Sequence, residues 1–227
     1  MHLHVRAADG TVQNTEQVIA LIIVDSQTNY TGCVPVKAKS QFDLMVREIL
    51  QFTQVLGHGE VCFLCDNEPS IRQVQARAVK ARLAQGLSTH AKTPAAYSHG
   101  NSLCENTIGR VRSLAGSLMF QLQEKISMEL STNNSIWSWA MRHASWLLNR
   151  FGVTHGTTPY ELVYSKPYKG KLASFGEPIF AYVNVTQKGN AKWQRVVMLG
   201  KTESQDTFVV FTGNGVMLTK SVRRIQC

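Results

Sequence analysis

The chain of 227 residues is long enough for one large domain, or for a medium domain followed by a small one, and either can bury a substantial core. Hydrophobic residues make up 44% of it, which is typical of globular proteins and argues against disorder. Lys and Arg outnumber Asp and Glu by 24 to 15, and the net charge of +9 favours a polyanionic partner. The longest apolar run, VIALIIV, is too short to span a bilayer, and the N-terminus lacks a signal-peptide pattern. We therefore expect a soluble, intracellular protein without a membrane partner.

The five cysteines, at positions 33, 62, 65, 104 and 227, are odd in number and lie mostly in apolar runs. We expect reduced thiols rather than a disulfide framework. Cys62 and Cys65 form a CxxC motif, but no second Cys or His pair follows at zinc-finger spacing. The pair is therefore interpreted as buried strand residues, with a metal site as the less favoured alternative.

The first half of the chain alternates strands and helices. VIALIIVDSQ predicts a strand buried on both faces, and YTGCVPVKA predicts its antiparallel neighbour across a tight turn. Ser40 has the position of an N-cap for a helix that Gly57 ends, and Pro69 begins a second helix that Gly86 ends. EVCFLCD, between the two helices, predicts another strand, and LSTHAKTP after them predicts a short extended segment.

The second half changes from helices to strands. Apolar residues recur in steps of three and four from Cys104, which predicts a long amphipathic helix. SIWSWAMRHASWLLNRFG predicts a further helix whose tryptophans belong to the core, and TTPYELVYSKPYKGK is rich in turn residues and lysine. Four short hairpin strands follow: PIFAYVNV, QRVVMLGK, TFVVFTG and GVMLTKSVRRI. The predicted boundaries are a flexible tail at 1–15, an α/β core at 16–165, a linker at 166–176 and a small β-rich domain at 177–227.

Three acids stand at the ends of these elements. Asp25 ends the first apolar strand, Asp66 ends EVCFLCD, and Glu105 is at the start of the long helix. In an open α/β sheet, strand ends and helix starts on one edge converge on a crevice, so the three carboxylates can meet in space. Such a trio suits two-metal phosphoryl transfer, because hard cations prefer carboxylate oxygens. The alternative is ordinary acids at strand ends and a helix-start charge that complements the macrodipole.

The order of several motifs adds to this pattern. IIVDSQTNYTGCVPVKAKS, CDNE, SHGNSLCENTIGRVRSL, WAMRHASWLLNR, TPYELVYSKP and GKLASFGEPIFAYV occur in the order seen in integrases of Copia-type LTR retrotransposons, which the chain resembles over roughly residues 18 to 227. The resemblance implies a ribonuclease-H-like mixed sheet flanked by helices, followed by a small SH3-like β-domain. It also implies DNA integration by a polynucleotidyl transferase with nuclease activity.

By position, the resemblance makes Asp25, Asp66 and Glu105 the catalytic ligands of Mg²⁺ or Mn²⁺. It further implies DNA partners, both element ends and target, a homo-multimer, and a nuclear protein with a cytoplasmic phase. The chain departs from the family's pattern at more than one point. The 38 residues between Asp66 and Glu105 are a few more than the family usually shows. Only His2 and His4 precede the core, with no cysteine before Cys33, so the histidine and cysteine pairs of the family's N-terminal zinc module are not found.

Further residues near these motifs are candidates for the site or for phosphate binding. His99 and Asn101 either shape the active-site loop or form a plain turn. The candidate phosphate-binding residues, for which a solubilising surface is the alternative, are Arg110, Arg112, Lys166, Lys169, Lys171, Arg223 and Arg224. Two other functions remain open, namely a non-catalytic nucleic-acid-binding remnant of an integrase and a C-terminal β-domain that serves as a protein-interaction module.

Overall fold

The computed structural model describes residues 18–92, 102–183 and 191–225, and the predicted tail at 1–15 lies outside these ranges. The chain separates into two compact units, residues 1–110 and 111–227. This division falls inside a helix, whereas the sequence placed a linker at 166–176. None of the described helices is long and apolar enough to cross a membrane.

The first unit has the predicted α/β order: two strands precede the first helix, and one strand follows each of the first two helices. Its elements are β1 (Ile19–Val24), β2 (Thr31–Val36), α1 (Phe42–Leu56), β3 (Val61–Leu64), α2 (Pro69–Ala84) and β4 (Thr89–Lys92). β1 and β2 form an antiparallel hairpin, and β3 pairs with β4 in parallel. In the part of the chain that the structure describes, these are two separate two-stranded sheets.

One apolar cluster holds both strand pairs of the first unit together. Its buried residues come from α1 and α2, namely Met45, Ile49, Val74 and Ala78. Leu21 and Ile23 of β1 and Phe63 of β3 pack against this cluster. Because the same two helices cover both pairs, the ends of β1 and β3 are fixed by a shared core.

The helix ends follow the predicted signals with one correction. α1 begins at Phe42 with Gln41, not Ser40, at its N-cap, and no side chain caps it. The Gln41 side chain is engaged by the backbone N–H of Lys37 instead, at 2.6 Å. Gly57 ends α1 in the left-handed conformation with φ of 70°, and Pro69 occupies the first turn of α2, as predicted.

The cysteines that the structure describes are free thiols, as expected. The position of the CxxC motif corrects the expectation of a buried pair, because Cys62 is exposed while Cys65 is half-buried. The two residues are three apart on or just beyond a strand, so their side chains alternate between its faces. Cys33, on β2, is buried.

The long predicted helix is α3 (Ser102–Ile126), which begins in the first unit and continues into the second. Its buried row consists of Val111, Ala115, Met119 and Leu122, which follows the predicted steps of three and four. α4 (Ile136–Phe151) buries Trp146 fully, whereas Trp137 and Trp139 are half-buried. Each of these helices therefore presents the apolar face that its sequence predicts.

A short helix, α5 (Pro159–Tyr164), lies where the sequence predicted only turns. It is fixed by a capping box, in which the Thr158 hydroxyl accepts from the Glu161 N–H at 3.1 Å and the Glu161 carboxylate accepts from the Thr158 N–H at 2.9 Å. Both hydrogen bonds satisfy backbone groups that a helix start leaves open.

The C-terminal strands form one antiparallel sheet in the order β8-β7-β6-β5-β9. The strands are β5 (Pro178–Tyr182), β6 (Trp193–Lys201), β7 (Phe208–Phe211), β8 (Val216–Thr219) and β9 (Val222–Arg224). The last predicted strand is thus two strands joined at Lys220 and Ser221, at opposite edges of the sheet. The Thr219 hydroxyl donates to Tyr182 O at 3.0 Å, which brings the β8 edge back towards β5 and curls the sheet.

The β-strands share a core with the helix before them. β6 packs against α4, and a β-bulge between Met198 and Gly200 marks the contact. Two buried cations lie at this contact and form ion pairs: Arg150 of α4 with Glu203 at 2.8 Å, and Lys201 of β6 with Asp206 at 2.6 Å.

Candidate active site and nucleic-acid surface

Asp25 lies directly after β1, where the sequence placed it, and its carboxylate is held from two sides. Oδ2 accepts hydrogen bonds from the Thr28 N–H at 2.9 Å and from the Thr28 hydroxyl at 2.7 Å. Oδ1 lies 3.1 Å from Nε2 of His58. The side chain is 11% exposed, so Asp25 is a mostly buried carboxylate whose two oxygens are both oriented by hydrogen-bonding partners.

Asp66 and Glu105 both influence the pKa of one thiol, that of Cys104. Asp66 follows β3 by two residues and is exposed, and Glu105 is exposed in the first turn of α3. Burial raises the pKa of the Cys104 thiol, and the negative charges of Asp66 and Glu105 raise it further.

The ends of β3 and β4 are tied together by a side chain from α2. The amide of Gln75, which is buried, donates to Phe63 O at 2.7 Å and to Lys92 O at 2.9 Å. One amide thus satisfies a carbonyl on each strand near the point where Asp66 follows β3.

The donor chemistry of these acids fits a divalent cation of the magnesium type, since all three side chains are carboxylates and two are exposed. Within residues 18–92, 102–183 and 191–225, however, no three His, Cys, Asp or Glu side chains are grouped closely enough to hold a metal ion. Among the described residues there is thus one oriented carboxylate, Asp25, together with two exposed acids, Asp66 and Glu105, and no closed metal site.

Two residues of this region were not predicted. His58 carried no sequence signal, because it lies in a loop and meets Asp25 across 33 positions of chain. Arg82 lies on α2 and was not predicted to be buried, yet it is 2% exposed. A signal for its burial was present, because Arg82 continues the helical row of Val74 and Ala78, both of which are buried.

The predicted phosphate-binding residues of the described chain are all exposed, namely Arg110, Arg112, Lys166, Lys169, Lys171, Arg223 and Arg224. Arg224 is already engaged, because its guanidinium makes two hydrogen bonds with the Glu177 carboxylate, at 2.6 and 3.1 Å. Its charge is therefore partly neutralised. The predicted active-site loop residues His99 and Asn101 lie outside the described residues.

Arg223 belongs to an aromatic and basic face on the outer side of the C-terminal sheet. In the register of β5, Phe180 stands opposite Arg195 of β6 and Arg223 of β9, and Tyr182 stands opposite Trp193. The Arg223 guanidinium lies 4.3 Å from the centre of the Trp193 ring. Phe180 is 40% exposed. Exposed rings interleaved with guanidinium groups are the composition of surfaces on which nucleic-acid bases stack.

No protein-family model and no curated protein matches this chain. Among solved structures, it is similar to the catalytic core domain of HTLV-2 integrase in complex with magnesium, in its trimeric form, with 16% identity, coverage of 72% of this chain and 93% of that one, and a TM-score of 0.48. It is also similar to the catalytic core domain of BIV integrase, with 15% identity, coverage of 72% and 91%, and a TM-score of 0.47. A third similar structure is a simian T-cell lymphotropic virus intasome in complex with the PP2A regulatory subunit B56 gamma, with 15% identity, coverage of 100% and 80%, and a TM-score of 0.44. At these identities and TM-scores, the similarities do not establish a family.

Proposed function

We propose that this chain is a retrotransposon integrase of the Copia type, a metal-dependent polynucleotidyl transferase that joins element DNA ends to target DNA. The observation that carries the proposal is the placement of three acids: Asp25 and Asp66 each follow a strand, and Glu105 lies in the first turn of α3. The order of the sequence motifs, which resembles that of Copia-type integrases, supports the same reading.

In this proposal, Asp25, Asp66 and Glu105 hold Mg²⁺ or Mn²⁺. Divalent cations at such a site activate an attacking oxygen and stabilise the leaving one. The chain's own part is positioning: Thr28 and His58 fix the Asp25 carboxylate, while Asp66 and Glu105 present exposed carboxylates that can be drawn towards a cation. His99 and Asn101 belong to the loop that precedes Glu105 in sequence and are proposed to shape the site.

The DNA partners in the proposal, element ends and target, bind the exposed basic residues. The set is Arg110, Arg112, Lys166, Lys169, Lys171 and Arg223, with Arg224 as a weaker member because it is paired with Glu177. The net charge of +9 favours this partner. Because the substrate is chromosomal DNA, we place the activity in the nucleus, and we expect a homo-multimer because two DNA ends are joined to one target.

A second function is favoured by a specific observation. No three potential metal ligands are grouped together among the described residues, which favours a non-catalytic, nucleic-acid-binding remnant of an integrase. Such a remnant would keep the surface charge and the aromatic face described above. The remnant would bind DNA without any metal-dependent reaction. Strand transfer therefore separates the two functions.

The test is transfer of a labelled duplex DNA end into target DNA, with Mg²⁺ or Mn²⁺, by the full chain and by Glu105→Gln. We expect metal-dependent transfer by the wild type and a loss of orders of magnitude in the variant, because the change removes one negative charge from a cluster that must neutralise two cations. The matched control is Glu124→Gln, which changes another exposed glutamate of α3 and should transfer like the wild type.

Melting temperatures with and without metal complete the test. A metal-induced rise is expected in the wild type and in Glu124→Gln, and a smaller rise is expected in Glu105→Gln, because a ligand that binds only the folded state stabilises it. If Glu105→Gln keeps wild-type transfer, Glu105 is an ordinary helix-start acid. DNA binding without transfer by the wild type would favour the remnant.

A further inference from the structure

The Asp25 carboxylate receives a hydrogen bond from a residue outside its own turn. His58 Nε2 lies 3.1 Å from Asp25 Oδ1, and the imidazole is 26% exposed. An ionised carboxylate can only accept, so Nε2 carries the proton in this contact. His58 therefore fixes one oxygen of Asp25 while Thr28 fixes the other, and the rotation of the carboxylate is determined by donors on both sides.

The backbone that carries His58 is itself held by a buried cation. Arg82 Nη2 donates to His58 O at 3.0 Å and to Gly59 O at 3.4 Å. The remaining donors of the guanidinium reach two threonine hydroxyls, with Nη1 to Thr53 at 2.8 Å and Nε to Thr89 at 3.1 Å. Four hydrogen bonds thus connect the end of α1, the loop after it and the start of β4.

The burial of the charged Arg82 side chain at this point costs folding free energy. The side chain is 2% exposed, and none of the ion pairs in the described part of the chain includes it, so its charge is satisfied by neutral oxygens. Burying a charge is costly unless it is well hydrogen-bonded. The hydrogen bonds of Arg82 offset this cost and hold the loop in place. The held loop fixes the position of the His58 ring against Asp25.

Gly57 makes this geometry possible in the chain. It ends α1 in the left-handed conformation with φ of 70°, which turns the backbone out of the helix directly before His58. The His58 carbonyl then faces Arg82 while its side chain faces Asp25. The sequence LGHGE thus places a histidine one residue after a helix stop.

We infer that His58, held by Arg82, is a positioning residue that orients the Asp25 carboxylate for cation binding and strand transfer. The inference rests on the function proposed above. Its basis is that carboxylates which bind metal ions depend on hydrogen bonds from neighbouring side chains, whose loss typically lowers metal affinity or activity by about 10- to 100-fold. His58 is not a ligand in this scheme, because its Nε2 proton is directed at Asp25.

Two substitutions of His58 separate orientation from mere packing. The amide nitrogen of Gln can take the place of Nε2 and donate to Asp25, whereas the shorter Asn cannot reach it. The measured quantity is the metal midpoint, the metal concentration that gives half of the maximal thermal stabilisation. We expect the midpoint of His58→Gln to lie within about 3-fold of the wild-type value, and that of His58→Asn to be about 10- to 100-fold higher than the wild-type value. Strand transfer should follow the same order. The matched control is His90→Asn, which breaks a histidine–carboxylate contact of the same 3.1 Å length, to Glu60, on the exposed edge of β3 and β4.

A spectroscopic readout tests the contact without metal or DNA. In the metal-free full chain, the ¹⁵N spectrum of the histidine rings should show a protonated Nε2 for His58, assigned by its loss in His58→Gln. An unprotonated Nε2 would overturn the inference, because His58 would then present no donor to Oδ1 of Asp25.

The remaining outcomes are distinct from those for the proposed function. If the wild type transfers strands and His58→Asn keeps both wild-type transfer and the wild-type metal midpoint, His58 is a packing residue and the inference fails while the proposed function stands. If His58→Asn raises the metal midpoint but the wild type transfers nothing, the role of His58 in orienting Asp25 for cation binding holds, while its role in strand transfer and the proposed function fail. A wild type with neither transfer nor metal-dependent stabilisation overturns both.

Discussion

At the scale of single residues, His143 shows how burial sets the chemistry of a side chain. Its ring is stacked between Trp146 and Phe175, with centroid distances of 5.5 and 5.8 Å. Burial lowers the pKa of His143 to about 4, and the charges of Arg150 and Lys201 act in the same direction. The neutral ring is therefore the form that the folded protein requires.

This shift predicts that acid weakens the fold. The folded pKa of about 4 lies below the unfolded value near 6.5, so between these pH values the unfolded chain binds more protons and stability rises with pH. The stability from the neutral ring is fully present above pH of about 6.5, and it is lost as the pH falls towards 4, by up to about 3 kcal/mol.

Urea unfolding between pH 4 and 7 would measure this effect. We expect His143→Phe, which keeps an aromatic ring in the stack, to show a shallower dependence of the unfolding free energy on pH. His90→Asn changes an exposed histidine and should keep the wild-type slope. Equal slopes for wild type and His143→Phe would show that His143 is not the source.

The acids of the candidate site were predictable from sequence one at a time, while their partners were not. Asp25 and Asp66 follow strands and Glu105 begins a helix, because apolar runs and helical spacing fix where those elements end. The His58 contact with Asp25 depends on how a loop crosses a strand end, and no local pattern determines that. Arg82 could have been recognised as buried from its helical row alone.

At the scale of elements, the contact between α4 and β6 depends on a glycine at a bulge. Gly200 has φ of 152°, and a Cβ atom placed on it would lie 3.3 Å from His143 Nδ1. The bulge between Met198 and Gly200 shifts the register of β6 against β7, and the next residue, Lys201, is buried. The missing side chain of Gly200 thus lets the strand approach the helix.

Gly200→Ala should therefore destabilise the protein by at least about 1 kcal/mol, because the new methyl group meets His143 and the backbone conformation is one that side chains rarely adopt. The matched control is Gly215→Ala in the turn between β7 and β8, where a Cβ would meet nothing within 4 Å. Urea midpoints of the two variants would measure the difference. A Gly200→Ala midpoint equal to that of Gly215→Ala would contradict the close approach.

Most elements were predictable because each carries its own period or stop signal. α1, α2 and α3 follow the apolar spacing and the Gly and Pro signals of the sequence. α5 was missed although its capping box, Thr158 with Glu161, is a recognisable start signal. The predicted final strand proved to be two, since β8 and β9 are divided by only Lys220 and Ser221 and pair at opposite edges.

At the scale of the whole molecule, the long-range polar contacts of two buried cations, Arg150 and Lys201, could not be predicted from the sequence. Arg150 and Glu203 are 53 positions apart, and Lys201 is buried with donors to Asp206, Tyr168 and a backbone carbonyl. These contacts join α4, the segment before β5 and the end of β6 into one unit. The predicted linker at 166–176 followed composition and stays a prediction, while Tyr168 and Lys171 within it contact Lys201.

The net charge, in contrast, was readable from composition and leads to a prediction for DNA binding. Three lysines of the segment between α5 and β5, Lys166, Lys169 and Lys171, are exposed, and they lie within six residues of one another. Lysines that neutralise phosphates release counterions, so the logarithm of the binding constant falls with the logarithm of salt, by about 0.9 for each phosphate neutralised.

Changing these three lysines to Gln should weaken DNA binding and reduce the salt slope by up to about 2.7, if each contacts one phosphate. The control changes Lys37, Lys80 and Lys125 to Gln; these lysines are also exposed, so the net charge falls equally while the predicted binding residues remain. Fluorescence anisotropy with a labelled duplex, from low to high salt, would measure both slopes. Because a general effect of net charge would alter the two triple variants alike, a larger loss of slope in the first assigns phosphate binding to the 166–171 segment. Equal slopes would leave DNA binding to the overall charge, and a wild-type affinity that does not change with salt would exclude an electrostatic interface altogether.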